Sequence, residues 1–464
     1  MKVFPLIDTQ GWSRVSSRLA CNSVSAERFP FASTGTSLAL RAFTPSRWKR
    51  WLMKLMGLLK NCFGTPAPEE FATLIIEAMR RRGDLCEIVY EQEWFRLKLA
   101  NGSSSYFNLH NAYEEYCVAP WHRRRGILRR WAGISVQIDK SPLPATYREA
   151  QSNVLPRVRE RAYHSLTALS AEVAGLAPFS FCFRSISDHL GVELVYDLPD
   201  SIAIISQDTL DNWGVGFQLA LDVACRNLAE NSNGRFHRPA AGVYLSPWKD
   251  NHDASRLILI DLLRELPVKG DHLAMVPNRD TLIVTGSEDL KGLAKMAELT
   301  EQATGEPRFM TGLPVKLQWD RWVPYRLEPG HPLHQRFERL RLQTAWRDYA
   351  EQKNLLERLH EKTGQDVYVA DFNAVESRET GKLRSYCVWS KDVVILLPRA
   401  DQICFYADDR PEAARIAAFA PWSRVREIVG DLMVQKFSYP ERYLVEAFPT
   451  EEQLARIGRA VLEA

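Results

Sequence analysis

Hydrophobic and polar positions follow two different periods along this chain. In PEEFATLIIEAMRR, residues 68–81, apolar side chains recur every three to four positions, which predicts a helix. HLAMV and TLIVTG, at 272–276 and 281–286, are apolar runs that predict two strands joined by a tight polar turn. A longer helical pattern occupies roughly 332–362. This mixture predicts an α+β fold, with mixed sheets flanked by helices in two or three compact units.

Two stretches of the pattern are less regular. Residues 147–174 favour helix with an interruption at Pro156. Near the C-terminus, VYVADFNAV, SYCVWS, VVILLPR and ICFYAD predict four strands. Helices are then predicted around 411–435 and 450–463.

Changes in composition along the chain predict its domain organisation. DKSPLPAT, residues 139–146, has the composition of a linker. The predicted segments are a basic, Ser- and Arg-rich leader at 1–64, a small α+β unit at 65–138, an α/β unit at 147–330 and a C-terminal α+β domain at 331–464.

Composition indicates a soluble globular protein. Of the 464 residues, 45% are hydrophobic and 25% are charged, which argues against a disordered chain or a membrane bundle. No apolar run approaches the roughly 18 residues of a transmembrane segment, so none is predicted. The eight cysteines occur singly, which favours reduced thiols in a cytoplasmic protein.

Charge is concentrated in the leader. Residues 1–64 carry a net charge of +8, which leaves −5 for the rest of a chain of net charge +3. The body is therefore mildly acidic, and its overall charge does not by itself favour a nucleic-acid binder.

The end of the leader, SRWKRWLMKLMGLLKNCFG, places five cations among Trp, Leu and Met. As an amphipathic helix it would make peripheral membrane contact through Trp48, Trp51 and Lys54. It also has the composition of an organellar transit peptide. The favoured interpretation is a poorly ordered leader, or upstream sequence preceding a start at Met53 or Met56.

The most basic segment of the body is PWHRRRGILRRWAG. Cations on one helix face and flanking aromatic rings suit phosphates and stacked bases, so this segment is the candidate polyanion-binding site. The favoured interpretation is a solvated helix face, or a cap over acidic neighbours. The candidate residues are Trp121, Arg123, Arg124, Arg125, Arg129, Arg130 and Trp131.

Catalytic chemistry has weaker support. The sequence contains no nucleophile elbow, no P-loop and no complete zinc-binding set, so no metal site and no cofactor are predicted. For an unrecognised enzyme with a cleft between domains, the candidates are Arg279, Asp280 and Asp197. Turn chemistry with a surface ion pair is the favoured explanation of Asn278, Arg279 and Asp280.

Three segments carry a family resemblance. The stretch 272–290, the stretch VELVYDLPDSIAIISQDTLDNWGVGFQLALDVACRNL and the segment FNLHNAYEEY resemble the YtpQ-like family of bacterial proteins, a domain of unknown function. The similarity spans about residues 69–303. It implies a bacterial, cytoplasmic setting and supplies no activity, cofactor or catalytic residue.

These observations favour a non-catalytic protein-binding or regulatory module. The reason is that no constellation required by a known reaction type is visible. The favoured partner of such a module is another protein. Nucleic-acid or polyanion binding through residues 121–131 is the first alternative, and an unrecognised enzyme is the second.

Overall fold

The structure is a computed structural model. It describes residues 65–83, 87–92, 95–101, 103–138, 143–176, 180–198, 201–305, 308–376 and 381–458. The leader, with Trp48, Trp51 and Lys54, lies outside the described residues. Helices and several antiparallel or mixed sheets confirm the predicted α+β class. Among the described helices, none has the length and apolar character needed to span a bilayer.

The chain forms two units, Met1–Asp139 and Lys140–Ala464. The larger unit therefore contains both predicted segments, 147–330 and 331–464. Hydrogen bonds connect these segments. Lys362 Nζ donates to Val173 O at 3.1 Å, and Gly312 N donates to Thr344 Oγ1 at 3.0 Å.

The smaller unit combines helices with a three-stranded antiparallel sheet in its described part. Its elements are α1 (Pro68–Arg81), β1 (Glu87–Glu91), β2 (Arg96–Asn101), β3 (Ser103–Asn108), α2 (His110–Val118) and α3 (Trp121–Ile138). The helical period of α1 buries Phe71 and Ile75, and the alternation in β2 buries Leu97 and Leu99. These faces form one core, which confirms the predicted amphipathic helix.

The larger unit begins with a sheet centred on one long strand. The elements are α4 (Tyr147–Ala150), β4 (Val154–Glu160), α5 (Arg161–Val173), β5 (Phe183–Ser185), β6 (Leu190–Leu198), β7 (Ser201–Ile204), α6 (Gln207–Trp213) and α7 (Phe217–Glu230). Strand β6 pairs with β4, β5 and β7. The prediction of helix around Pro156 is wrong, because β4 crosses this residue as a strand. An edge strand tolerates proline, since a missing N–H on its open side removes no ladder hydrogen bond.

A six-stranded antiparallel sheet follows. Its elements are β8 (His237–Ala240), β9 (Val243–Leu245), α8 (Ile260–Arg264), β10 (His272–Asn278), β11 (Thr281–Gly286), α9 (Leu290–Ala303), β12 (Val315–Gln318) and β13 (Arg321–Pro324). The strand order is β13-β12-β10-β11-β9-β8. The predicted hairpin is confirmed, since β10 and β11 pair from His272↔Gly286 to Asn278↔Thr281.

The C-terminal part contains one long helix and two four-stranded sheets in its described residues. The elements are α10 (His334–Thr363), β14 (Tyr368–Val369), β15 (Asn373–Glu376), β16 (Leu383–Ser390), β17 (Ile395–Pro398), β18 (Gln402–Tyr406), β19 (Ile416–Pro421), α11 (Trp422–Val429), β20 (Val434–Ser438), β21 (Glu441–Val445) and α12 (Glu451–Ile457).

The long predicted helix is confirmed by α10. The continuous helix predicted around 411–435 is wrong, because Ile416–Pro421 pairs with β18 as strand β19. An Ala-rich apolar run fits either a helix or a buried strand, and here sheet pairing outweighs helix propensity.

Candidate functional site

Helix α3 is the most strongly basic element of the smaller unit. It begins after Pro120, and its sequence WHRRRGILRRWAGISVQI has five arginines and no acid. Ile127 and Ala132 are buried in the core, and the Trp131 ring lies edge-on to Phe107 with centroids 6.0 Å apart. One side of α3 is thus fixed against the unit, and the arginines occupy the remaining surface.

Two of the five arginines make structural contacts. Arg124 Nε donates to Ala119 O at 3.1 Å, and its guanidinium lies 5.2 Å from the centre of the Tyr116 ring. Arg130 pairs with Glu115, whose other carboxylate oxygen accepts from Trp131 Nε1 at 2.9 Å. Arg124, Arg130 and Trp131 therefore help to hold α3 against α2.

The other three arginines point into solvent. Arg123, Arg125 and Arg129 are exposed, and no described acid forms an ion pair with any of them. Trp121, at the start of the same helix, is 60% exposed. A side chain at Gly126 would meet nothing within 4 Å, so the surface between these cations is open.

Arg82, the residue that follows α1, adds one more guanidinium to this surface. Arg82 Nη1 donates to Arg129 O at 3.1 Å. A Cβ at Gly133 would stand 3.0 Å from Arg82 Nη1, so glycine leaves room for the guanidinium. We call the surface formed by Arg82, Trp121, Arg123, Arg125 and Arg129 the arginine face.

The turn between β10 and β11 holds two of the predicted catalytic residues. Asp280 N donates to Asn278 Oδ1 at 3.1 Å, and Arg279 Nε lies 3.6 Å from Asp280 Oδ2. Backbone carbonyl groups of the turn also accept hydrogen bonds. Ala254 N donates to Arg279 O at 3.0 Å, and Lys249 Nζ donates to Asp280 O at 2.6 Å. The predicted turn is confirmed, and the ion pair that it carries is partly buried instead of lying on the surface.

The third predicted catalytic residue has different neighbours. The pKa of Arg279 is lowered to about 10, mainly by burial and then by repulsion from the positive charge of Arg308. Burial raises the pKa of Asp197, whose titratable neighbours are His252 and Asp250. The structure thus brings Arg279 and Asp280 together, and Asp197 belongs to another charged group. A catalytic role for the three remains a prediction.

One buried ionic group was not predicted. Arg157 and Glu193 are register partners on β4 and β6, with Nε and Oε1 2.5 Å apart. His164 Nε2 lies 3.0 Å from Glu193 Oε2, and its ring stacks on Phe183 with centroids 4.4 Å apart. Burial alone would raise the pKa of Glu193, but His164 and Arg157 outweigh burial and lower it. Only the pairing of distant strands reveals this group.

The described residues contain no group of three or more His, Cys, Asp or Glu side chains that could hold a metal ion.

Burial of His189 is expected to make the stability of the fold sensitive to acid. Its side chain is 4% exposed, and burial lowers its pKa to about 4, against the carbonyl of Leu313 that raises it. Because the folded value is below the unfolded value of about 6.5, this residue's stability contribution is present above pH 6.5 and lost as pH falls towards 4. We expect His189→Gln to remove roughly 3 kcal/mol of acid destabilisation in this window. Urea denaturation of both proteins at several pH values measures the difference, and parallel pH profiles would contradict the prediction.

Comparison with known proteins gives no relative. No protein-family model, no curated protein and no solved structure matches this chain. The resemblance to the YtpQ-like family therefore stays a prediction.

Proposed function

We propose that the protein is a non-catalytic binding module whose arginine face binds single-stranded nucleic acid. The observation that carries the proposal is the set of exposed guanidiniums of Arg123, Arg125 and Arg129 on a helix without acids. A cytoplasmic location is part of the proposal. It is supported by the free thiols of the described cysteines, Cys117, Cys182, Cys225, Cys387 and Cys404.

The charge of α3 supports a polyanionic partner. Glu115 neutralises Arg130, whereas the three exposed arginines keep their full charge towards solvent. Arginines that neutralise the phosphates of a nucleic acid displace the counterions condensed on it into bulk solvent, and this release drives binding. Arginine also donates two parallel hydrogen bonds to a phosphate, which fixes its geometry.

The aromatic ring supports a single strand in particular. Trp121 is exposed and lies four residues before Arg125 and eight before Arg129, so the three side chains follow one another along the helix. An unpaired base can stack on an indole, which contributes about 1–3 kcal/mol per base. A duplex has no free base face to offer this ring.

Removal of the exposed arginines is the first test. We expect the triple variant R123Q/R125Q/R129Q to bind fluorescein-labelled oligothymidylate about a hundredfold more weakly than the native protein at low salt, by fluorescence anisotropy. Loss of three phosphate contacts should also reduce the slope of log K against log salt concentration by about 2. Trp121→Ala should weaken binding without changing this slope.

The matched control removes three cations from the larger unit. R264Q/K295Q/K316Q makes the same change in net charge at partly exposed positions, each paired with an acid. We expect it to bind like the native protein. Native binding that is absent or independent of salt, or equal losses in the two triple variants, would overturn the proposal. Arginine-dependent binding of polyglutamate without binding of oligothymidylate would replace it with an acidic protein partner.

A further inference from the structure

One row of side chains runs along α3 with a regular spacing. It contains Trp121, Arg125 and Arg129, each four residues after the last, so the three lie on one face of the helix. An α-helix rises about 1.5 Å per residue, which separates neighbours in the row by about 6 Å along the axis. Neighbouring phosphates of an extended single strand have a similar separation. Each arginine of the row can therefore face a phosphate of its own.

The next position of the row is occupied by Gly133, which has no side chain. Arg82 fills this place from outside the helix. A Cβ at Gly133 would stand 3.0, 3.1 and 3.3 Å from Nη1, Cζ and Nη2 of Arg82, so the guanidinium lies directly over the glycine. Arg82 Nη1 donates to Arg129 O at 3.1 Å, the carbonyl that also accepts from the amide of Gly133 in a regular α-helix. Arg82 is thus the fourth member of the row.

The three guanidiniums of the row keep their charge towards solvent. Arg82, Arg125 and Arg129 are exposed, and none of them forms an ion pair with an acid among the described residues. Arg81, which precedes Arg82, differs because it pairs with Glu77 at 2.9 Å. Like charges at neighbouring positions of a helix repel one another. A strand that places one phosphate against each guanidinium removes this repulsion and satisfies the donors.

We propose that the single strand bound by the arginine face occupies this row as a segment of four nucleotides. This inference rests on the proposed function and adds the order of the contacts. One base stacks on Trp121, which is 60% exposed. Three successive phosphates then lie against Arg125, Arg129 and Arg82, in that order. Arg123 lies outside the row, two residues after Trp121, so only a longer strand brings a phosphate to it.

The stacked base fixes the register of the strand. If a tetranucleotide moved along the row by one nucleotide, either the indole would lose its base or one phosphate would lose its guanidinium. A trinucleotide has only two phosphates between its nucleosides, so in this register it contacts Arg125 and Arg129 and does not reach Arg82. Contact with Arg82 is therefore the difference between the two lengths.

Calorimetric titration of the full chain at low salt tests this order. The probes are the thymidine trinucleotide and tetranucleotide with hydroxyl groups at both ends. Arg82→Gln should weaken binding of the tetranucleotide about tenfold, because it removes a charge-assisted hydrogen bond, and leave trinucleotide binding unchanged. Gly133→Ala should show the same selectivity, since its Cβ displaces the Arg82 guanidinium. It changes no charge and favours the helix, so unfolding would not explain its effect.

Arg81→Gln is the matched control for Arg82→Gln. It removes a charge from the adjacent residue, whose guanidinium pairs with Glu77, and it should bind both oligonucleotides like the native protein. Failure of long oligothymidylate to bind the native protein would overturn the proposed function, and this register with it. The register alone would be overturned if the long strand bound but the tetranucleotide did not. Equal weakening of the two short strands by Arg82→Gln, or an effect of Arg82→Gln no larger than that of Arg81→Gln, would also overturn it.

Discussion

Replacement of Arg256 with alanine is expected to destabilise the larger unit by about 3 kcal/mol, the low end of the effect of breaking a buried ion pair, because Asp250 is 38% exposed. The Arg256 side chain is fully buried. Its two terminal nitrogens donate to Asp250 at 2.9 and 2.7 Å, and Nε donates to Ser232 Oγ at 2.9 Å. The guanidinium also lies 4.0 Å from the centre of the Trp248 ring. Alanine would leave these polar groups without their partner and open a cavity.

An exposed arginine nearby provides the matched control. Arg264 pairs with Asp320 and Asp261, but its side chain is 44% exposed. Exposed ion pairs contribute about 0–1 kcal/mol, so Arg264→Ala should change the free energy of unfolding little. Urea denaturation of the two variants and the native protein gives the comparison. Equal effects would show that the buried guanidinium of Arg256 contributes no more to the free energy of unfolding than an exposed ion pair.

The loop before Arg256 also shows which structural features the local sequence predicts and which depend on tertiary contacts. Lys249 and Asn251 adopt positive φ values of 54° and 70°, which non-glycine residues seldom do. No periodicity predicts this loop. Its shape depends on Arg256 and on the backbone contact from Ala254 to Arg279, which is distant in the sequence.

Regular elements were predictable where the pattern was local. Helix α10 and the β10–β11 hairpin have clear periods, and the structure confirms both. Pro156 and the run Ile416–Pro421 were assigned wrongly, because their strands are defined by pairing with β6 and β18. The pattern within one segment does not identify the strand with which that segment pairs.

The candidate sites were also predictable only where the sequence pattern was local. The arginines of α3 are visible in the sequence as one cluster, but their separation into anchored and exposed members is not. Glu115 and Tyr116 on α2 decide which arginines are anchored. The buried group of Arg157, His164 and Glu193 could not be predicted, since strand pairing and packing of the folded chain bring its members together.

Asp348 should give the largest pH-dependent change in stability. Its side chain on α10 is 6% exposed, and burial raises its pKa to about 8. Arg347 lowers the value, but its nitrogens stand 3.8 Å from Asp348 at the closest and already donate to Phe309 O and Met310 O. Glu160 and Glu351 add repulsion. The folded protein therefore keeps a proton on this carboxyl that the unfolded chain loses.

The sign of the effect follows from this order of pKa values. The folded value lies above the unfolded value of about 3.9, so the contribution of Asp348 to stability is complete below pH 4 and is lost as pH rises through 8. Asparagine stays neutral throughout. We expect Asp348→Asn to gain roughly 5 kcal/mol relative to the native protein between pH 4 and pH 8.

Taking the difference between variant and native protein removes the opposite contribution of His189, which both proteins share. Asp366→Asn, at an exposed position just beyond α10, is the matched control and should follow the native protein across the same range. Urea denaturation at pH steps measures all three proteins. A constant difference between Asp348→Asn and the native protein would mean that Asp348 is already ionised in the fold at neutral pH. Arg347 would then have to hold the buried charge, despite donating to two carbonyl groups.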